Sequence, residues 1–289
     1  MSDIWLFLYY PFMEAKRKLF TTRYLAVIIL IGFMCILNTV TLRRFSYLTG
    51  YSVTPWFFPF LVSLYFYNLI YFALYIYFFS DAPFIQENTM YQMIRCGRVK
   101  WGVVQIEKIL ISSFVYNIQS FLMSIVVMFP YICLDSGWGN VIYTLSRTNT
   151  GKEYHISMGF SYDIIGQKSP LQMMILTMLI LWLAGSCIGL LMFALSLWFG
   201  RMTALFISSI WIILPIMLDN YGGVWRPLAT HFSPISWTRI SEIGQFRYGI
   251  PRLPSLKFIL SAYIILCVIF SLAALFKLRT VDLKWSNEE

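Results

Sequence analysis

LQMMILTMLILWLAGSCIGLLMFALSLWFGRMTALFISSIWIILPIML, residues 171–218, contains a single charged side chain, Arg201. A helix that crosses a membrane needs about 20 largely apolar residues. The stretch holds two such runs, 171–199 and 202–218, separated only by Gly200 and Arg201. The pair reads as a tight helical hairpin with Arg201 snorkelling to the lipid head groups. Working outward, four more runs of the same kind appear at 24–42, 55–79, 106–133 and 257–276. The runs at 106–133 and 171–199 are long enough to tilt or to continue past the bilayer. The expected fold is an all-α membrane protein with about six transmembrane helices in one transmembrane domain over 1–289.

Composition agrees. Of 289 residues, 59% are hydrophobic and 12% charged. Soluble domains carry roughly 25% charged residues, and a soluble fold this poor in charge would expose large apolar patches and aggregate. The five cysteines (Cys35, Cys96, Cys133, Cys187 and Cys267) form no CxxC pair and have no histidine cluster nearby. They read as small apolar residues within helices, with no metal site or disulfide framework. Met1 to Tyr10 lacks the basic region of a secretory signal. The formal charge of +9 is spread too thinly for nucleic-acid binding.

The centres of all six runs lack Asp, Glu, Lys, Arg and His; the polar groups within them are weak ones such as Asn38, Asn68, Asn117 and Gln119. Proton- and ion-coupled transporters bury ionisable relays in the membrane, so an energy source outside the membrane is expected instead. Lys16, Arg17, Lys18 and Arg23 precede the first run, against Arg43 and Arg44 after it. The loop after the second run adds Arg95, Arg98, Lys100 and Lys108. By the positive-inside rule both termini are placed in the cytoplasm.

Between the spans, residues 1–23 read as an interfacial segment. Ile4 to Phe20 is aromatic, then basic, and Pro11 interrupts it, which suits an in-plane helix leading into the first span. SDAPFIQENTMYQMIRCGRVKWG, residues 80–102, lies in the cytoplasmic loop 80–105. Ser80 or Asp81 is expected to cap a short helix with Pro83 in its first turn, and Gly97 to end it. A capped helix with aromatic and apolar residues suits a docking surface better than a plain connector. Residues 134–170 are expected as a compact extracytoplasmic loop. Residues 219–256, which include GGVWRPLATHFSPISWTRISEIGQFRYG, are expected as short outer-leaflet helices broken at Pro227 and Pro234.

Catalytic residues are not expected. There is no GxxxxGK[ST], HExxH or GxSxG, and His155 and His231 stand alone in loops. Gly185 and Gly189 form a GxxxG, a close-packing seam within the chain or between chains. Tyr67, Tyr71 and Tyr75 recur every four residues and share a helix face that Phe78 continues. That face reads as helix packing, or as a candidate path for a substrate with apolar and polar parts.

The chain resembles the membrane (permease) subunit of bacterial ABC-2-type ABC transporters. The resemblance rests on the interfacial segment, DAPFIQENTMYQMIRCGRVKWGVVQIEK between spans two and three, the six spans, and GGVWRPLATHFSPISW before the last. It implies a coupling helix at 83–96 that docks on a cytoplasmic ABC ATPase through Phe84, Met90, Tyr91, Met93, Ile94, Arg95 and Arg98. It implies that 219–256 forms paired re-entrant helices. The working unit would be two membrane subunits, identical or related, with two ATPase subunits that carry ATP and Mg. This chain would bind no cofactor or metal of its own, and would sit in the bacterial cytoplasmic membrane in contact with lipid. The long 134–170 loop departs from polysaccharide exporters of the family and turns the expectation to peptide or lipid-like cargo. A membrane sensor or immunity protein that binds a cell-wall-active peptide without transport is the alternative. An ion-coupled transporter or channel is disfavoured by the uncharged spans.

Overall fold

The computed structural model describes residues 10–19, 21–84, 89–220, 230–244, 246–247 and 250–280. The described chain is predominantly helical. A short helix α1 (Tyr10–Leu19) leads into α2 (Thr22–Thr49). Pro11 lies at the start of the described part of α1, which runs unbroken from there to Leu19. Residues 1–9, which complete the predicted interfacial segment, lie outside the described residues. Thr21 caps α2 by accepting from the Tyr24 N–H, and Gly50, at φ 72°, closes it with its N–H on Ser46 O.

After α2 come a 3-10 turn (Pro55–Phe57), α3 (Phe58–Val62) and α4 (Tyr65–Phe79). Next are α5 (Thr89–Cys96) and α6 (Arg98–Met128), then three short helices, α7 (Gly139–Arg147), α8 (Thr150–Glu153) and α9 (Tyr162–Gln167). The long α10 (Pro170–Phe199) begins with a capping box between Ser169 and Gln172. Gly200, at φ 92°, turns the chain into α11 (Arg201–Asn220), which packs on α10 as the expected hairpin. The last helix is α12 (Leu256–Thr280).

Each of the six apolar runs is helical, but they are not equivalent. Helices α2, α6, α10 and α12 are each long and apolar enough to cross a membrane, the mark of a multi-pass membrane protein. Helix α11 is shorter, its apolar part spanning Arg201–Met217, with Pro215 inside it. Helix α10 is central: 72% of its most apolar stretch is buried, against 17% for α12. Along α12, Ile264, Ile265, Val268, Ile269, Leu272 and Phe276 are exposed, a surface that only lipid would cover without cost.

The run at 55–79 is not one continuous helix. Pro55–Val62 and Tyr65–Phe79 meet at an angle of 85°, broken at Ser63 and Leu64. Backbone groups freed by such a break must find partners away from water, and they do. Asn68 Nδ2 donates to Val62 O at 3.1 Å and to Thr238 Oγ1 at 2.8 Å. Ser63 Oγ donates to Pro59 O at 2.8 Å and accepts from the Ser241 N–H at 3.4 Å. Asn68→Ala removes both side-chain bonds and should cost about 1–2 kcal/mol, read as a lower melting temperature in detergent. Thr238→Val should reproduce the smaller part.

At the end of the bundle where α2 stops and α3 begins, the short helices form a knit cap. Val53 bridges Ile132 in parallel, Thr54 Oγ1 donates to Trp138 O at 2.8 Å, and Trp56 Nε1 donates to Asp135 O at 2.7 Å. Trp138 Nε1 in turn reaches Lys168 O at 3.2 Å. The predicted loop 134–170 is thus compact. Of 219–256, residues 221–229, including Pro227, lie outside the described residues. The rest holds two 3-10 turns (Pro234–Thr238 and Ile240–Glu242) and a two-residue ribbon pairing Phe246–Arg247 with Ile250–Pro251, with no α-helix inside 231–244. Pro234 starts its turn rather than breaking a helix.

Candidate functional site

The opposite end of the bundle gathers α1, the turn after α4, α5 and the start of α6. Lys18 of α1 pairs with Asp81 of the turn at 3.0 Å, and Lys108 of α6 pairs with Glu14 of α1 at 3.3 Å. Lys18 Nζ also lies 4.6, 4.4 and 4.5 Å from the ring centroids of Phe78, Phe79 and Phe84. Three electron-rich faces around an ammonium supply attraction that water would otherwise supply. Burial still lowers the Lys18 pKa to about 8, with Asp81 opposing that shift and Lys108 adding to it. The last described turn of α12 closes the same end, with Leu278 against Gly102 of α6.

This cluster alters the predicted helix start. Asp81 is held by Lys18, residues 81–83 form a turn rather than a first helical turn, and the described part of the helix is Thr89–Cys96. Residues 85–88 lie outside the described residues. Gly97, at φ 84°, ends α5 where expected. Of the predicted docking residues, Phe84 is turned inward: it sits at φ 63° against Phe79 and Phe193, buried. A bulky residue in that backbone region persists only where its surroundings hold it, so Phe84 anchors the loop and presents nothing to a partner. Met93 is half-buried against the core, while Ile94 is 75% exposed and Arg95 and Arg98 are exposed. Met90 and Tyr91 belong to α5; their side chains lie outside the described part.

The tyrosine ladder is interior. Tyr67, Tyr71, Tyr75 and Phe78 are all buried, so in this chain the face serves helix packing. The ladder looks onto α6 and α2 rather than a groove. Tyr71 Oη lies 2.5 Å and Tyr75 Oη 2.9 Å from Asn117 Oδ1, Tyr116 Oη donates to Tyr71 O at 3.0 Å, and Tyr67 Oη meets Cys35 Sγ at 3.4 Å. Asn117 Nδ2 is buried and finds no partner in this network.

Gly185 and Gly189 let α10 approach this ladder. A Cβ on Gly185 would lie 2.6 Å from Tyr75 Oη, and one on Gly189 would lie 2.6 Å from Ile109 Cγ2. The GxxxG is therefore a seam within the chain.

Sequence reasoning passed over a cleft of about 340 Å³ at the bend between α3 and α4. Its walls come from three parts of the chain: Phe60, Ser63, Leu64 and Tyr65 at the break, Gly159 to Ser161 between α8 and α9, and Ser241, Glu242 and Arg252. Beside it Arg239 is 2% exposed, with its guanidinium 4.0 Å over the Tyr65 ring and 3.1 Å from Glu242. Arg252 lies 3.8 Å from the same carboxylate. The excess of arginine over acid in 230–256 was the signal available in the sequence. Among the described residues no three His, Cys, Asp or Glu side chains gather as metal ligands. Compared with known proteins, the chain matches no family model, no curated protein and no solved structure.

Proposed function

We propose that this chain is the permease subunit of an ATP-driven exporter of the ABC-2 type. It would work as a dimer of identical or related membrane subunits with two copies of a cytoplasmic ATPase that binds ATP and Mg. In this reading the chain would cross the bacterial cytoplasmic membrane six times, the bent α3–α4 pair and α11 being the two short crossings, with both termini inside. The cargo would be a peptide or another amphipathic, lipid-like molecule.

The observation that carries this reading is α5. Its described part, Thr89–Cys96, is a separate helix set between two apolar hairpin limbs and preceded by the turn that the Lys18–Asp81 pair holds. Its exposed Ile94 beside Arg95 is an apolar knob with a basic neighbour, suited to a groove on a soluble partner. A rigid helix joined to the span α6 by one glycine can pass a partner's movement into that span as a rigid body. The uncharged span interiors point the same way, to energy supplied from outside the membrane.

Purification in mild detergent should retain a soluble ATPase in stoichiometric amount. Ile94→Asp with Arg95→Glu should release it while leaving the melting temperature of the membrane subunit within about 1 °C, since both side chains are exposed and exposed substitutions change stability little. Retention of the ATPase by that double variant, or its absence from the wild type in several detergents, would remove the basis of the permease reading. The sensor reading gains from the ordered outer cleft; it requires ligand binding there with no ATPase attached.

A further inference from the structure

We propose that the pocket between the end of α2 and the start of α7 binds the uncharged sugar ring of a saccharide. The site does not depend on the exporter reading, because it lies wholly in the cap of short helices and its floor is closed.

Two walls are fixed before any ligand arrives. Helix α2 stops at Gly50, and the Ser46 hydroxyl donates to Tyr51 O, so the chain leaves the helix in one direction. Opposite, Thr54 Oγ1 donates to Trp138 O at 2.8 Å. A Cβ on Gly139, at φ 77°, would lie 2.7 Å from Thr54 Cγ2, so only glycine lets the start of α7 come this near. The space between the walls is about 360 Å³, at the small end of the range for ligand sites. Phe45 and Val141, 4% and 3% exposed, form its floor.

No charged side chain lines this space. An ionised ligand would lose hydration there and find no opposite charge in return. Uncharged polar groups are plentiful instead. Among the described residues, the Asn140 amide and the hydroxyls of Tyr51 and Tyr143 have no hydrogen-bond partner. The hydroxyls of Thr49 and Thr144 donate to Phe45 O at 2.9 Å and to Asn140 O at 2.8 Å, and each keeps lone pairs that can accept. Donors and acceptors therefore stand side by side. A sugar hydroxyl is both at once.

The aromatic walls match the other half of a sugar. Tyr51 is 59% and Tyr143 40% exposed, and each offers an apolar ring with a polar tip. A pyranose packs its C–H face on such a ring and bonds through the hydroxyls at its edge. Arg147 lies 5.8 Å from the centre of the Tyr143 ring and donates to Tyr162 Oη at 3.3 Å, which steadies Tyr143 without lining the pocket. A peptide strand is a poorer fit, since it pairs with an open sheet edge or a long groove. Tyr47 and Leu48, on the same last turn of α2 as Thr49, are 68% and 56% exposed, a surface suited to lipid. The same contacts serve a glycolipid headgroup and a soluble saccharide.

The test is saturation-transfer NMR of the full chain in phosphatidylcholine nanodiscs with methyl β-glucoside, methyl β-galactoside and methyl α-mannoside. At least one glycoside should receive saturation at its ring C–H protons, with none from empty nanodiscs. Asn140→Ala and Tyr143→Ala should each weaken its binding about fivefold or more, and their melting temperatures check that they fold. Tyr77→Ala, at the opposite end of the bundle, should leave binding unchanged. Nanodiscs that carry a dioleoylglycerol glycoside of the same sugar separate the two sources. Displacement of the soluble glycoside assigns the pocket to a glycolipid headgroup, and its retention to a soluble saccharide. Absence of transfer to all three glycosides would overturn the proposal, as would unchanged binding in both folded variants. Displacement of the glycoside by a lower concentration of acetyl-Ala-Tyr-Ala-amide would give the pocket to a peptide and overturn the sugar assignment.

Discussion

Gly185→Leu should lower the stability of the folded chain by about 3 kcal/mol, the upper range for overpacking a closed core. The first added atom already lies 2.6 Å from Tyr75 Oη, so something must move. The ring has little freedom. Its hydroxyl is 2.9 Å from Asn117 Oδ1 and 3.1 Å from Ser113 O, and its centroid is 3.9 Å from that of Tyr116. Helix α10 must therefore back away from α4, which opens the contact at Gly189 one turn on. The measurement is the melting temperature of purified protein, together with its yield from membranes. Tyr75→Ala supplies the control: it makes room, so the double variant should be more stable than the sum of the single losses by about 1–3 kcal/mol. Gly185→Leu melting with the wild type would mean that α10 does not meet α4 at this seam.

The second large effect concerns Lys18 and is asymmetric. Asp81→Ala strands a cation whose side chain is 6% exposed and should cost about 2 kcal/mol, whereas Lys18→Met leaves a carboxylate that is 34% exposed and can turn to water. Lys18→Met should therefore cost little, and the double variant should sit close to it, because an apolar side chain suits the three surrounding rings. Alkali gives a second readout. The Lys18 pKa falls from 10.5 to about 8 on folding, so between those values the unfolded chain holds the proton more strongly. The penalty for burying the charged form is complete below pH 8 and is relieved as pH rises toward 10.5, by about 3 kcal/mol in all. The wild type should gain on Lys18→Met across pH 8 to 10. A parallel pH dependence of the two proteins would place Lys18 in contact with water.

Hydropathy alone located the helices because lipid exposure leaves one dominant constraint, about 20 apolar residues in a row. Their ends were harder. Helix α6 begins at Arg98, eight residues before the apolar run, since a helix can continue into the head-group layer with polar side chains. The bend at Ser63 and Leu64 was illegible for a different reason. No glycine or proline stands at the break; Pro59 precedes it, and two of the residues that stabilise it, Thr238 and Ser241, are distant in sequence. The tyrosine periodicity showed a shared face but could not show what it faces, which depends on Tyr116 and Asn117 of another helix. Asp81 looked like a helix cap by local chemistry, and lost that role to Lys18, 63 residues earlier.

Helix α4 has 15 residues, a rise of about 22 Å, while the hydrocarbon layer is about 30 Å thick. Set in a bilayer with its Phe79 end level with α1, its Tyr65 end would stop roughly 8 Å short of the far side of that layer. The bend would then sit in a dent, between the cap of short helices and a helix tip. Water and head groups can sink into such a dent. A polar group entering the bilayer there has a quarter less oil ahead of it than anywhere along α10 or α12.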